Sequence, residues 1–167
     1  NIDALVPKSA PNNLAHLLGG SEGTLAYSTA LELKLWPLIL EKVLGVCRFP
    51  TFYHAMDAAQ HLVTLNPQGV ELVDSTMIDL GRDIPLFRQT IQEFVTGTPE
   101  ALLLVEFSET DTTQNAKKLK QLEDMMGNMG FSWSGTGKKW GGVTTVTNPN
   151  LQMAIAEFRK SGLNIMM

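Results

Sequence analysis

The sequence predicts an α+β fold: a ferredoxin-like, or split βαβ, antiparallel sheet with helices on one face. Two observations indicate it. After residue 37 the chain twice repeats a strand–helix–strand unit, and a helical insert separates the two repeats. Without the insert, the predicted order is β-α-β-β-α-β followed by one more helix.

The first repeat follows a junction at Trp36-Pro37. Residues 41–49 are predicted to form a buried strand, because apolar residues dominate its centre. Thr51 is a suitable N-cap for a helix that continues to about Leu65, with apolar residues at helical spacing. Residues 70–73 then form a short second strand.

The insert and the second repeat are predicted from the same kinds of pattern. Pro85 suits the first turn of a helix, where its missing N–H costs nothing. The predicted elements are helices at 75–80 and 85–95, a strand at 101–107, a helix at 112–126, a strand at 143–147 and a last helix from Pro149 to about Gly162.

The first 37 residues differ from the rest. Residues 1–23 show little periodicity, whereas residues 30–35 alternate between leucine and polar positions and predict a strand. Because Trp36-Pro37 interrupts this run, we place a domain boundary after residue 37.

Composition excludes several classes of function. A net charge of −4 without a concentrated basic face argues against nucleic-acid binding. The longest apolar runs are far shorter than the roughly 20 residues that a membrane span needs. Cys47 is the only cysteine, so a reducing compartment, the cytoplasm, is expected. The chain begins with Asn1 instead of Met, which we interpret as processing or as a fragment.

Residues 19–24, Gly-Gly-Ser-Glu-Gly-Thr, are the first candidate site. Glycines would let backbone N–H groups approach an anionic ligand, and Ser21 and Thr24 could donate hydroxyl hydrogen bonds. The alternative is a tight turn that binds nothing.

The residues around this motif resemble a known family. Residues 13–26 (NLAHLLGGSEGTLA) and 31–38 (LELKLWPL) resemble the end of the flavin domain in FAD-linked oxidases of the vanillyl-alcohol-oxidase superfamily, in the branch of D-lactate, glycolate and D-2-hydroxyglutarate dehydrogenases. Residues 1–5 are similar to the preceding segment. The resemblance implies that FAD contacts Gly20, Ser21, Glu22, Gly23 and Thr24.

A second resemblance lies in residues 156–163 (AEFRKSGL). In relatives that act on 2-hydroxy acids, a cap-helix arginine pairs with the substrate carboxylate, which implies this role for Arg159. A guanidinium meets a carboxylate through two parallel hydrogen bonds, which a lysine cannot do. The sequence departs from the family in having Phe158 directly before the arginine. The alternative is a surface arginine near a helix C-terminus.

The resemblance also implies the domain plan. Residues 1–37 would be the C-terminal remnant of an FAD-binding domain. Residues 38–167 would be a substrate-side cap domain of the FAD-linked oxidase C-terminal type, incomplete at its C-terminus. The catalytic base and any metal site would lie outside this fragment.

The implied parent protein is an FAD-dependent oxidoreductase that oxidises a small 2-hydroxy acid by hydride transfer to flavin. Its partners would be the rest of the flavin domain and an electron acceptor or iron–sulfur domain. We expect the isolated chain to be inactive and to hold FAD weakly or not at all. The alternative is a stand-alone ferredoxin-like module that binds a ligand or partner without catalysis, which a natural reading frame of about this length would favour.

Three other groups of residues are predicted to have structural roles and no catalytic or binding role. His54 and His61 are seven residues apart and are interpreted as part of a solvated polar face instead of a metal site. Residues 135–139 lack the spacing of a phosphate loop and predict a flexible surface loop. Trp133 and Trp140 are expected to cover an apolar edge of the sheet.

Overall fold

The computed structural model describes residues 11–35, 41–109 and 111–166. The chain divides into two compact units, Asn1–Pro37 and Leu38–Met167. The segment 1–5 and the junction Trp36-Pro37 lie outside the described residues. That the first unit is the remnant of a flavin domain stays a prediction.

The described part of the first unit contains one short helix, α1 (Ala15–Leu18). The Asn13 side chain accepts a hydrogen bond from the Ala15 N–H at 3.0 Å. The strand predicted at residues 30–35 is wrong: these residues have no regular secondary structure, and their three leucines are 71–84% exposed. A strand needs a neighbour to bond its backbone, and residues 11–35 contain no second strand.

The second unit contains four strands and five longer helices among the described residues. The predicted elements are all present, with ends that shift by a few residues. They are β1 (Val43–Phe49), α2 (Phe52–Leu62), β2 (Gly69–Asp74), α3 (Ser75–Asp83), α4 (Pro85–Phe94), β3 (Ala101–Phe107), α5 (Thr112–Asn128), β4 (Gly142–Val146) and α6 (Pro149–Met166), with 3-10 turns at Val63–Leu65 and Gly137–Lys139.

The sheet has the strand order β2-β3-β1-β4, and every neighbouring pair is antiparallel. The central strand β1 aligns Val46 with Leu104 on one side and with Thr144 on the other. This order and direction define the ferredoxin-like arrangement, so the predicted fold class is confirmed.

Helices cover both faces of the sheet. The two main helices, α2 and α5, pack on one face through residues such as Leu62 and Leu122, as predicted. The insert helices α3 and α4 and the last helix α6 pack on the opposite face through residues such as Ile91 and Phe158. Both faces are covered because β1 and β3 are almost continuously apolar, the pattern of strands buried on both sides.

Side-chain caps fix the starts of several helices. Thr51 accepts a hydrogen bond from the His54 N–H, as its predicted capping role requires. Asp74 and Asp111 accept equivalent bonds at the starts of α3 and α5. None of the helices within the described residues combines the length and the apolar character that crossing a bilayer demands.

Candidate functional site

The helix α6 is fixed against the sheet by an aromatic anchor next to Arg159. The Phe158 side chain is fully buried, and its ring centroid lies 5.6 Å from that of Phe87 in an edge-on contact. Gly81 makes room for it, since a Cβ there would lie 2.6 Å from the Phe158 ring. Because the anchor sets how α6 is rotated, it also sets the direction in which Arg159 projects.

Arg159 reaches the edge strand β2. Its Nη1 lies 2.5 Å from Oε2 of Glu71, and the two side chains are 40% and 41% exposed. Arg159 lies within α6, which continues to Met166, so it is not in the last turn of the helix. Its charge is therefore balanced by a carboxylate of the sheet instead of by the helix C-terminus.

Arg159 and Glu71 border a cavity of 210 Å³ between the sheet and α6, which we call the polar cleft. Its other walls include Leu44, Gly69, Leu104, Glu106, Gln152 and Lys42. Lys42 donates to Glu106 at 2.8 Å, so the cleft contains a second ion pair. The formal charges of its two cations and two carboxylates cancel.

Gln152 holds one end of this cleft together. Its side-chain amide donates to the carbonyl oxygens of Lys42 and Val146, at 2.8 and 2.9 Å. These bonds tie the second turn of α6 to the beginning of β1 and the end of β4. Gln152 therefore fixes the position of α6 over the cleft, while the two ion pairs of the cleft remain in contact with water.

A second cavity meets Arg159 from the other side. It has a volume of 420 Å³ and is lined mainly by apolar groups, among them Phe52, Leu72 and Met77. Arg159 thus lies between a charged space and an apolar one. That position suits a small molecule with a carboxylate at one end and carbon at the other.

A third cavity, of 480 Å³, lies beside Lys42 and Gln152 near the beginnings of α5 and α6. Its buried polar residue is Asn115, whose side-chain oxygen accepts from the Glu109 N–H at 2.9 Å. The charged groups that line this cavity are Glu41 and Lys42, and Arg159 is not among its lining residues.

The glycine motif of the first unit forms a pair of tight turns. Ser21 N–H donates to Leu18 O at 3.1 Å, and Thr24 N–H donates to Ser21 O at 2.9 Å. Glu22 and Gly23 both have positive φ, 52° and 78°, as the central residues of a type I′ turn do. The Thr24 hydroxyl donates to Ser21 O at 2.6 Å, so it stabilises the turn itself.

The backbone of this loop is open to its surroundings at two glycines. Gly20 and Gly23 have positive φ, and a Cβ on either would meet no other atom within 4 Å. A flat ligand could therefore lie directly against the backbone, where N–H groups other than those of Ser21 and Thr24 could act as donors. The open backbone is compatible with the contact with FAD that the resemblance implies, and this contact stays a prediction.

The histidines behave differently from each other. His61 is exposed, as predicted for a solvated polar face. His54 is half-buried: a ring nitrogen lies 2.7 Å from the Thr51 hydroxyl, and the ring packs edge-on to Phe131. The prediction was wrong for His54, because residues far along the chain cover that side of α2. The described residues contain no group of three side chains that could hold a metal ion.

Two ionisable residues of β1 are enclosed. Burial raises the pKa of the Cys47 thiol, which keeps it protonated and unreactive. Burial also lowers the pKa of Arg48 to about 10. Arg48 donates to Thr144 Oγ1 at 2.8 Å and to Phe94 O, and lies under the ring of Trp133. Both are structural groups, closed to a ligand.

The sequence pointed to Arg159 but missed the rest of the polar cleft. Glu71 pairs with a residue 88 positions away, and Lys42 with one 64 positions away. A charged residue within the apolar run of β2 is a weak signal, because its partner depends on strand register and helix placement. Only the assembled fold brings these groups together.

Sheet, helices and cleft together define a small α+β domain with a cavity lined by two ion pairs. The chain belongs to the FAD linked oxidases, C-terminal domain family, whose family model matches residues 40–166. The match covers nearly all of the second unit and includes the polar cleft.

Three relatives show where the similarity lies. The chain is 28% identical to a D-lactate dehydrogenase of Archaeoglobus fulgidus over 117 aligned residues. This aligned stretch covers 70% of this chain and 25% of that protein. It is 30% identical over 114 residues to a D-2-hydroxyglutarate dehydrogenase of Pantoea ananatis, covering 66% and 11%. The Escherichia coli D-2-hydroxyglutarate dehydrogenase is 31% identical over 103 residues, covering 59% and 10%. The chain thus spans a quarter or less of these relatives.

Proposed function

We propose that the chain is the substrate-side part of an FAD-dependent oxidoreductase that oxidises a small 2-hydroxy acid. The observation that carries this is the guanidinium of Arg159 in an open cleft, on the helix where relatives are expected to bind the substrate carboxylate. The named relatives support the substrate class, since lactate and 2-hydroxyglutarate are both 2-hydroxy acids.

Arg159 binds the carboxylate of the hydroxy acid and orients the molecule. The guanidinium has five donors in a planar fork, so it fixes both the position and the plane of a carboxylate. The apolar cavity beside Arg159 accepts the carbon chain. Fixing one end of a small substrate in this way is a major contribution that a protein makes to a cofactor-dependent reaction.

Gly20, Ser21, Glu22, Gly23 and Thr24 contribute to the FAD site, mainly through main-chain N–H groups. When bound, FAD supplies the acceptor for the hydride that leaves the hydroxy acid. The remainder of the flavin domain completes the cofactor site, and a further acceptor or an iron–sulfur domain removes the electrons. The FAD site is therefore complete only in the full-length protein, whereas the polar cleft lies within this chain.

The test is the variant Arg159→Met in the full-length protein, assayed with D-lactate and D-2-hydroxyglutarate and a dye acceptor. A hydrogen bond to a charged group contributes about 1.5–3 kcal/mol, so kcat/KM should fall about 10- to 100-fold. Arg159→Lys should recover only part of the loss, because an ammonium group cannot form the paired bonds.

Lys160→Met is the matched control. Lys160 is the next residue on α6, is exposed and pairs only locally with Glu157, so its loss should leave kcat/KM unchanged. An Arg159→Met protein with the kcat/KM of the wild type would refute the assignment. The alternative of a stand-alone module without catalysis predicts no turnover in any of these proteins.

A further inference from the structure

We infer that Glu71 is a built-in competitor for Arg159: its carboxylate occupies the guanidinium until a substrate carboxylate displaces it, and it thereby sets the affinity of the polar cleft. This inference rests on the proposed function, in which Arg159 is the carboxylate-binding group. It assigns a specificity role to a residue of the sheet edge that the sequence did not single out.

The contact between the two residues is direct. Nη1 of Arg159 lies 2.5 Å from Oε2 of Glu71. Within the described residues, Glu71 caps no helix, in contrast to Asp74, which is three positions further along and caps α3. The Glu71 carboxylate therefore does for Arg159 what a ligand carboxylate would do, and it has the same chemistry.

Exchange is feasible because the pair is accessible. With side chains 40% and 41% exposed, water reaches both partners. Exposed ion pairs contribute little to stability, since solvent screens them and both side chains lose freedom. A ligand can therefore replace Glu71 without breaking a buried interaction.

The cleft also has room next to Glu71. Gly69 lies two residues earlier in β2, so its Cα presents the same face of the sheet. A Cβ built on Gly69 meets no other atom within 4 Å. The empty space lies beside the carboxylate that has to move.

The remaining charges of the cleft favour Arg159 as the point of exchange. Glu106, which is opposite Gly69 in the sheet, is already paired with Lys42 at 2.8 Å. Its charge is thus largely compensated and does not repel an incoming anion. Displacing Glu71 is the step that remains.

The experiment is a titration of the 167-residue chain with sodium D-lactate at constant ionic strength, followed by NMR through backbone amides of α6 and the Arg159 Nε–H signal. Glu71→Gln should lower the apparent Kd about two- to fivefold, the range that loss of an exposed ion pair corresponds to. Glu71→Ala should do the same and guards against an effect specific to glutamine.

Two further variants separate competition from a general charge effect. Glu157→Gln removes a carboxylate that pairs with Lys160 on the same helix, and it should leave the Kd unchanged. Gly69→Val fills the space beside Glu71 without altering any charge, and valine suits a strand. It should weaken lactate binding in both the wild-type and the Glu71→Gln backgrounds.

The outcomes distinguish this inference from the proposed function. If Glu71→Gln binds no more tightly than the wild type while Arg159→Met loses binding, the competitor role is overturned and the proposed function stands. If Arg159→Met binds as well as the wild type, both fail. Absence of binding by both the wild type and Glu71→Gln also overturns the inference.

Discussion

Arg48 is a cation enclosed by the protein without a carboxylate among its hydrogen-bond partners. Its charge is stabilised by Phe94 O at the C-terminal end of α4, where the helix dipole is negative, and by the face of Trp133, 4.8 Å away. Its Nε finds no acceptor among the described residues. Arg48 therefore joins α4 to the sheet at some cost in desolvation.

We expect Arg48→Met to lower the free energy of unfolding by about 1–3 kcal/mol. Methionine fills much of the same space but leaves Phe94 O and the Thr144 hydroxyl without their donor, and unpaired buried polar groups are costly. Urea denaturation followed by circular dichroism measures the change without relying on the fluorescence of Trp133.

Arg82→Met is the control. Arg82 also donates to a loop carbonyl, Gly97 O at 2.8 Å, but its side chain is 34% exposed. Water can replace that bond, so the loss should stay below about 1 kcal/mol. Equal losses in the two variants would show that burial of Arg48 has no special energetic role.

At this scale the sequence predicted residue types better than partners. Arg159 was identified through a family resemblance, whereas Arg48 was hidden in an apolar strand. The partners of Arg48 include Thr144, 96 residues away, and Phe94, 46 residues away. Such contacts depend on strand register and on how α4 folds back, which local periodicity does not contain.

At the scale of elements, α5 packs closely against the central strand β1 at Gly45. A Cβ built on Gly45 would lie 2.2 Å from a methyl group of Leu122, which is itself fully buried. Gly45 therefore leaves the space that the Leu122 side chain fills, and it sets the distance between α5 and the central strand.

Gly45→Ala should destabilise the protein by about 1–3 kcal/mol, the usual cost of adding a methyl group to a packed core. The midpoint of urea unfolding measures it. Gly69→Ala is the matched variant in the same sheet, where the added methyl meets open space. It should be neutral or slightly stabilising, because alanine restricts the unfolded chain. A Gly45→Ala protein as stable as the Gly69→Ala protein would contradict the claim that Leu122 needs the space at Gly45.

The predicted elements agree with the structure to different degrees. The strand β3 matches its prediction residue for residue, because its mainly apolar run is bounded by the polar residues Glu100 and Ser108. The helix α2 ends three residues earlier than predicted: a 3-10 turn follows, and Asn66 takes a left-handed conformation before Pro67. The strand expected at 30–35 failed because an alternating pattern cannot supply the neighbour that a strand requires.

At the scale of the molecule, every buried residue in the described part of the chain lies between Val43 and Gly162. The second unit therefore contains both apolar clusters, one on each face of the sheet. A sheet with a core on both sides has what independent folding requires.

We expect residues 38–167 alone to unfold in one cooperative transition, with a Tm within about 3 °C of the 167-residue chain, a difference of less than about 1 kcal/mol. Thermal unfolding followed by circular dichroism makes the comparison. A broad or absent transition in the shortened chain would contradict the view that the second unit folds by itself.

The order of elements was sufficient to predict the ferredoxin-like sheet, since few topologies satisfy two repeated strand–helix–strand units. The order did not indicate that α3, α4 and α6 cover the opposite face. Helical periodicity reveals that a helix buries one stripe, but the same stripe could pack against either side of a sheet. The mainly apolar character of β1 and β3 was the available signal.

The helices on the two faces of the sheet differ in what they contribute to the polar cleft. Among the described helices only α6 lines the polar cleft, whereas Phe52 at the start of α2 lines the apolar cavity beside Arg159. If Phe158 packed differently, α6 would change its orientation and move the Arg159 guanidinium away from the polar cleft. Because Phe158 is fully buried, its replacement should both displace Arg159 and destabilise the second unit.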